Sequence, residues 1–234
     1  MTEAAAFLHM RETFSRWADI RDAEWKLLQG LFRFHPVAKS DSVLAPGQRP
    51  KDILYVASGL LRYYYTSSEG KDSNKVFLSQ GMFSAPLTGC ALDPEPGCGV
   101  EALEGGILLI ADAAAFNALY DVHPIFDRLG RRMGEWWLGQ KELRARSFQL
   151  QDARDRYLGF IRTHGELAQR IPQYHVASYL GITDVSLSRI RRDLARAGSH
   201  AAVARPRPTA NPVAAAPVRA AAPIPSAYPV SRPR

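Results

Sequence analysis

The residues best suited to chemistry lie between Thr183 and Arg192, where three arginines accompany short polar and apolar side chains. A guanidinium carries a permanent charge and several hydrogen-bond donors, so it suits the phosphates and base edges of a nucleic acid. Such contacts require that the side chains project from one face of a rigid element. The elements around this segment therefore decide what it can bind.

Residues 173–192 have the pattern of two short helices that cross steeply. Ala177 supplies the small side chain needed at the crossing, and Gly181 can take the left-handed conformation of a tight turn. Thr183 or Asp184 would cap the second helix. The spacing predicts a shared apolar core of Val176, Leu180, Ile182, Leu187 and Ile190, and an exposed set of Val185, Ser186, Ser188, Arg189 and Arg192. This pattern is typical of a helix-turn-helix whose second helix enters the DNA major groove, and the alternative is an ordinary helical hairpin with a solvated basic face.

The chain before this segment divides into helical, β-rich and again helical stretches. Residues 3–33 have apolar side chains at spacings of three and four, which predicts one or two amphipathic helices. From Val37 to Ile110, short β-rich runs alternate with turn signals and predict an antiparallel barrel or roll. Two of these runs, 53–56 and 60–65, lie on either side of Gly59. A short helix is predicted over 113–120 and a longer one from Pro124 to about Leu150, because proline fits a first turn.

The long predicted helix has a stripe of residues at steps of 4, 4, 3, 4 and 3, namely Ile125, Leu129, Met133, Trp136, Gln140 and Leu143. This period is close to the 3.5 residues of a two-stranded helical interface. The stripe therefore predicts a dimerisation helix. The alternative is that the stripe packs on the roll of the same chain.

The basic character of the chain is concentrated at its end. The sequence has 30 Lys and Arg against 23 Asp and Glu, a net charge of +7, and residues 199–234 contain five of the arginines and no acid. Alanine and proline dominate this tail, which has almost no large apolar side chains to offset the entropy of ordering. We predict a disordered tail that adds salt-sensitive affinity for DNA but little specificity.

Composition excludes several other classes of protein. The sequence is 46% hydrophobic and 23% charged, which suits one or two soluble domains. It lacks a disulfide framework, a secretory leader pattern and an apolar run near the roughly 18 residues of a membrane span, so we expect a cytoplasmic protein. Its six histidines show no close metal-type pairing, and no nucleophile elbow, phosphate-binding glycine loop or zinc-protease motif occurs. We therefore predict no metal, no cofactor and no enzymatic activity.

With these motifs in place, the sequence resembles the Crp/Fnr superfamily of bacterial transcription regulators. The resemblance covers roughly residues 10–198 and is tightest at 171–183 and 185–192, while 59–64 resembles the glycine-led strand of the family's roll. It implies a homodimer with a cyclic-nucleotide-binding-type sensory roll, a coiled dimer helix and two recognition helices that read a palindromic operator.

The resemblance also assigns roles by position. Arg189 corresponds to the arginine that family members commonly use on a guanine, and Asp184 and Val185 fall where further specificity residues lie. Arg191 and Arg192 are expected to meet phosphates, which fixes register without reading bases. The expected DNA-binding set is Thr183, Asp184, Val185, Ser186, Ser188, Arg189, Arg191 and Arg192.

The sensory roll departs from the family members that bind cyclic nucleotides. Those members carry a Gly-Glu pair followed by an arginine and a hydroxyl residue, and residues 84–94 contain neither the glutamate nor the arginine. Residues 76–127 have no Lys or Arg against seven acids. We therefore expect no tight binding of cyclic AMP or cyclic GMP. Cys90 and Cys98 are interpreted as incidental thiols, with a redox or effector-binding role as the alternative.

The predicted fold class is α+β, with an N-terminal antiparallel β-roll and its helices over 1–120, a dimerisation helix over 121–150, a helix-turn-helix domain over 151–198 and the tail over 199–234. The predicted function is that of a dimeric, sequence-specific transcription regulator. Its expected partners are operator DNA, a second copy, RNA polymerase and an unknown small-molecule effector. The alternative is a small-molecule-sensing roll protein whose C-terminal helices bind another protein.

Overall fold

The structure, a computed structural model, describes residues 1–84 and 98–198. Cys90 and the predicted disordered tail, 199–234, lie outside the described residues. The chain begins with two helices, α1 (Glu3–Ser15) and α2 (Asp22–Leu31). The apolar spacing of this region is realised in α1, where Phe7, Met10 and Phe14 are buried.

Six antiparallel strands form one sheet within the described residues: β1 (Arg33–Val37), β2 (Ser42–Leu44), β3 (Asp52–Thr66), β4 (Asp72–Ser79), β5 (Phe83–Ser84) and β6 (Cys98–Asp112). The main order is β1-β6-β3-β4, while β2 pairs with β6 and β5 pairs with β3. The long strands β3 and β6 therefore form the centre of the roll, and β4 lies at one edge of this order.

Strand β3 is longer than the sequence predicted. Two short runs separated by Gly59 were expected, whereas the structure has one strand of 15 residues with register shifts around Ser58 and Gly59. Gly59 has a φ of 98°, and a Cβ on the facing Gly106 would lie 2.1 Å from the Ser58 carbonyl oxygen. The glycines permit a β-bulge at this close approach, so the strand bends without leaving the sheet.

A short helix, α3 (Ala113–Ala118), and a 3₁₀ turn, Leu119–Asp121, lead into the long helix α4 (Pro124–Leu150). Its bounds agree with the prediction. Pro124 occupies the first turn, and the His123 ring accepts a hydrogen bond from the Ile125 N–H at 3.2 Å. Both features satisfy the requirements of a helix N-terminus.

Part of the predicted stripe of α4 is buried within the same chain. Ile125, Leu129 and Met133 are buried in the same core as α1 and β3, and Trp136 packs partly against that core. Leu143, in contrast, is 59% exposed. The first half of the stripe thus packs on the chain's own roll, as the alternative interpretation proposed.

Aromatic rings dominate the core beneath α1 and α4. Phe14 meets Tyr55 edge-on at 5.6 Å between ring centroids, and Trp17 meets Trp136 at 6.1 Å. Edge-to-face pairs of this kind add to the free energy of apolar burial. The long helix is consequently fixed to the roll through its first half.

Four helices complete the described chain: α5 (Ala153–His164), α6 (Leu167–Arg170), α7 (Gln173–Leu180) and α8 (Asp184–Gly198). Their core contains Phe160, Ile171 and Val176, and it continues into Leu60 and Phe77 of the roll. The helical region is therefore packed directly on the sheet. Across residues 1–84 and 98–198, no helix has both the length and the hydropathy to cross a membrane.

Candidate nucleic-acid interface

The turn between α7 and α8 has the geometry that its sequence predicts. Gly181 ends α7 in the left-handed conformation, with φ 68° and ψ 36°. Its N–H donates to the Ser178 carbonyl, and the Ile182 N–H donates to Ala177 at 3.1 Å. Ala177 is buried where the chain turns back. The glycine is required here because an L side chain is disfavoured at this φ, and its Cβ would meet the Phe148 ring at 2.9 Å.

Thr183, rather than Asp184, caps α8. Its Oγ1 accepts a hydrogen bond from the Ser186 N–H at 3.2 Å and lies 2.9 Å from the Ser186 Oγ. These bonds satisfy one of the free N–H groups at the helix start. The two hydroxyls are therefore engaged in holding the first turn, and Asp184 lies in that turn as an exposed residue.

The apolar face of α8 is fixed by α7. Leu187, Val176 and Leu180 are buried together, as predicted. Ile182 and Ile190, which were expected in the same core, are only half-buried. The edges of the core between α7 and α8 are therefore partly open to solvent.

The opposite face of α8 carries most of the predicted binding residues. At 100° per residue, Val185, Ser188, Arg189 and Arg192 project within one sector of about 100°, while Asp184 and Arg191 lie about 40° and 60° beyond one edge of it, towards Leu187. All six are exposed, Val185 to 80%, and Ser186 is half-buried. We call Val185, Ser188, Arg189 and Arg192 the α8 outer face.

The arginines of α8 are not committed to other side chains. Within the described residues, Arg189, Arg191 and Arg192 form neither an ion pair nor a hydrogen bond. Arginines elsewhere are engaged, since Arg62 binds two acids and Arg170 binds Glu104. The guanidinium groups of α8 are thus available to an anionic partner.

A buried polar network, which the sequence did not indicate, fastens α7 to β4. Asn74 Nδ2 donates to the His175 carbonyl and lies 3.1 Å from His175 Nδ1, while the Asn74 N–H donates to Ser178 Oγ at 2.9 Å. On the roll side, Arg62 donates to Asn74 Oδ1 and Glu101 Oε2. The bonds from Asn74 to α7 join residues about a hundred positions apart, and no local signal could have predicted them.

His175 lies in the first turn of α7 and is buried. Burial of the imidazole, followed by the charge of Arg62, lowers the pKa of His175 to about 4. The neutral ring fits a site beside a guanidinium. This residue orients α7, the helix on which α8 packs.

The structure describes one of the two cysteines. Cys98 begins β6 as a half-buried residue opposite Tyr65, and Cys90 lies outside the described residues. The redox alternative for the pair stays a prediction. Within 1–84 and 98–198, the structure brings together no group of three His, Cys, Asp or Glu side chains that could hold a metal ion.

The sequence matches no protein-family model and no curated protein. Solved structures do match. A putative Crp/Fnr-family transcriptional regulator from Eubacterium rectale is similar at a TM-score of 0.63 and 18% identity, over 80% of this chain and 89% of that one. FixK2 from Bradyrhizobium japonicum is similar at 0.62 and 17%, over 71% and 86%.

A CooA mutant from Carboxydothermus hydrogenoformans is also similar, with a TM-score of 0.57 and 20% identity over 73% of this chain and 79% of that one. At these identities the likeness concerns the fold. The chain has the Crp/Fnr-like fold, a β-roll followed by a helical region, and the resemblance seen in its sequence is confirmed at that level.

Proposed function

We propose that the chain is a transcription regulator of the Crp/Fnr type, which binds double-stranded DNA sequence-specifically through α8. The observation that carries the proposal is the α8 outer face, which is exposed and holds unpaired arginines opposite the buried Leu187. A major groove about 12 Å wide admits a helix of this kind. The fold neighbour from Eubacterium rectale, which is named a putative Crp/Fnr-family transcriptional regulator, supports the same function.

The roles of the individual side chains follow from their positions. Arg189 lies within the outer face and reads a guanine through two parallel hydrogen bonds, with Val185 and Ser188 beside it on neighbouring bases. Arg192 on the outer face and Arg191 beyond its edge bind phosphates. Thr183 and Ser186 hold the helix start in register, since their hydroxyls already bond to each other.

Dimerisation belongs to the same proposal, and the structure favours a different face of α4 from the predicted one. Residues at steps of 4, 3, 4 and 3 on the helix face opposite the buried Leu129 are all exposed: Arg131, Glu135, Leu138, Glu142 and Ala145. Their mean step is close to the 3.5-residue period of paired helices. Leu138, 68% exposed, lies at the middle of this row. We call these five residues the α4 outer row and assign it to a second copy of the chain.

The DNA proposal is tested by genome-wide footprinting of the full-length protein, followed by fluorescence anisotropy on the recovered operator and on a scrambled duplex. We expect operator affinity to fall steeply between 50 and 200 mM salt, because phosphate contacts release counterions. The double variant Arg189→Ala/Arg192→Ala should weaken operator binding by about tenfold or more, which is the combined loss expected from the two single changes.

The matched control is Arg146→Ala/Arg154→Ala, which removes two exposed arginines outside α8. It should retain operator binding to within about threefold, because long-range charge effects are screened at 150 mM salt. Equal losses in both double variants would mean that α8 contributes only general positive charge to DNA binding. A protein-interaction role for α7 and α8 would instead appear as no DNA binding at any salt concentration.

A further inference from the structure

A cleft of about 680 Å³ lies where the roll meets the helical region. Its walls are the β4 edge, the second half of α4, the turn between α5 and α6, and Tyr179 of α7. This volume is within the roughly 300–1,000 Å³ typical of small-molecule sites. A ligand in the cleft would touch the roll and the helical region at the same time.

The cleft has aromatic walls. Trp136 and Trp137 lie on one side with ring centroids 4.9 Å apart, and Phe148 and Tyr179 line it as well. The Trp137 Nε1–H is buried and has no hydrogen-bond partner among the described residues. Flat aromatic surfaces of this kind favour a planar, largely apolar ligand.

The charge in the cleft is predominantly positive. Lys75, Lys141 and Arg144 line it against a single acid, Glu166, and none of the three cations forms an ion pair within the part of the chain described. Arg144 is held in place, since it donates to the Tyr179 carbonyl at 2.9 Å and lies over the Tyr179 ring at 3.9 Å. The positive charge that 76–127 lacks is thus supplied by residues before and after that stretch.

The two lysines share one region of the cleft. Partial burial of its ammonium group, followed by the charge of Lys75, lowers the pKa of Lys141. The Lys75 ammonium lies 4.9 Å from the Tyr65 ring centroid, which attracts a cation only weakly. Since neither ammonium group is paired with an acid within the described residues, an anion bound beside them would relieve their mutual repulsion.

We propose that this cleft binds an aromatic monoanion, such as an aryl carboxylate or sulfonate, with its ring against Trp136, Trp137 and Phe148 and its charge at Lys75 and Lys141. This inference deepens the proposed function, and only its consequence for DNA binding through α8 rests on that function. Because the ligand bridges β4, α4 and the α5–α6 turn, its binding biases the orientation of the helices that carry α8.

The test uses the full-length protein without DNA and two probes that share one ring system. The first is 8-anilinonaphthalene-1-sulfonate, and the second is N-phenyl-1-naphthylamine, which lacks the sulfonate. Binding is followed by probe fluorescence and by quenching of tryptophan emission. The variant Lys75→Met/Lys141→Met should weaken the anionic probe about tenfold and change the neutral probe by less than about twofold, because methionine keeps the apolar length without the charge.

Lys26→Met is the matched control, since Lys26 is exposed on α2 and lies outside the cleft. A second variant, Thr163→Trp, places a large side chain at an exposed position of the cleft wall and should weaken both probes. The proposal is overturned if the lysine pair and Lys26 have equal effects, or if Thr163→Trp leaves both probes unaffected. Neither result bears on operator binding by α8, so this proposal and the proposed function can fail separately.

Discussion

Helices α4 and α8 each bury one face and expose the other. They differ in what covers the buried face and in the chemistry of the exposed face. In α8, Leu187 is buried against the neighbouring α7, and the opposite face exposes arginines without partners. In α4, Leu129 is buried against a roll that precedes it in the chain, and the opposite face exposes Leu138 among mixed charges. An exposed cationic face suits a polyanion, whereas an exposed apolar row suits another copy of the helix. The chemistry of the uncovered face therefore indicates the kind of partner.

The largest expected effect concerns the buried side of α4. Leu129→Ala should lower the free energy of unfolding by about 2–5 kcal/mol, because it removes a fully buried side chain and leaves a cavity. Leu143→Ala, at an exposed position of the same predicted stripe, should change it by less than about 0.5 kcal/mol. Urea denaturation followed by tryptophan fluorescence measures both. Similar losses would mean that Leu143 is covered in solution.

The next effect concerns His175, which joins α7 to β4, and it is a dependence of stability on pH. The pKa of His175 is about 4 in the folded chain, below its ordinary value, so the unfolded chain binds more protons between these two values. The stability that the neutral ring contributes is complete above about pH 6.5 and is lost as the pH falls towards 4, with a total of up to about 3 kcal/mol.

Unfolding curves at a series of pH values from 7 to 4 test this dependence. His175→Gln should flatten the profile in that window, while His35→Gln, which changes an exposed histidine on β1, should leave the profile unchanged. An unaltered slope in His175→Gln would show that other groups cause the acid loss.

Arg189 provides the sharpest test of the outer face of α8. Arg189→Ala should weaken binding to the operator by about 1–3 kcal/mol and relax the preference at one base-pair position. Anisotropy on an operator and on its single-base variants measures both quantities. Equal loss on operator and scrambled DNA would contradict the base-reading role.

Leu138 tests whether the uncovered side of α4 meets a second copy. Leu138→Glu should raise the dissociation constant of the dimer about tenfold, which is close to 1.4 kcal/mol, because it places a charge in an apolar contact. Leu143→Glu, on the other face of the helix, is the control. Light scattering across a concentration series distinguishes the two variants. A larger effect of Leu143→Glu would mean that the dimer forms through the stripe predicted from the sequence.

The smallest effect belongs to Arg192. Arg192→Ala should weaken operator and scrambled DNA equally, by less than about 1 kcal/mol at 150 mM salt, and lower the salt slope by about 1. Titrations at several salt concentrations give the slope. A change in sequence preference would mean that Arg192 contacts bases rather than phosphates.

Much of this arrangement could be predicted from short-range patterns. The bounds of α4, the turn at Gly181 and the exposure of Arg189 depend on caps, glycine conformation and apolar spacing within about 30 residues. The bulge at Gly59 was missed, because a glycine between two β-rich runs marks either a turn or a bend within one strand.

The sequence alone determined that most of the outer residues of α8 stay exposed and that the chain has a roll, a long helix and a paired-helix end. Only the tertiary structure decided which face of α4 the roll covers, that His175 is buried beside Asn74, and that Lys75 and Lys141 share a cleft. The physical reason is the separation along the chain between the residues that interact. Helix caps and turns are satisfied by neighbours in the chain, whereas the burial of a face or a charge depends on segments that folding brings together from many residues away.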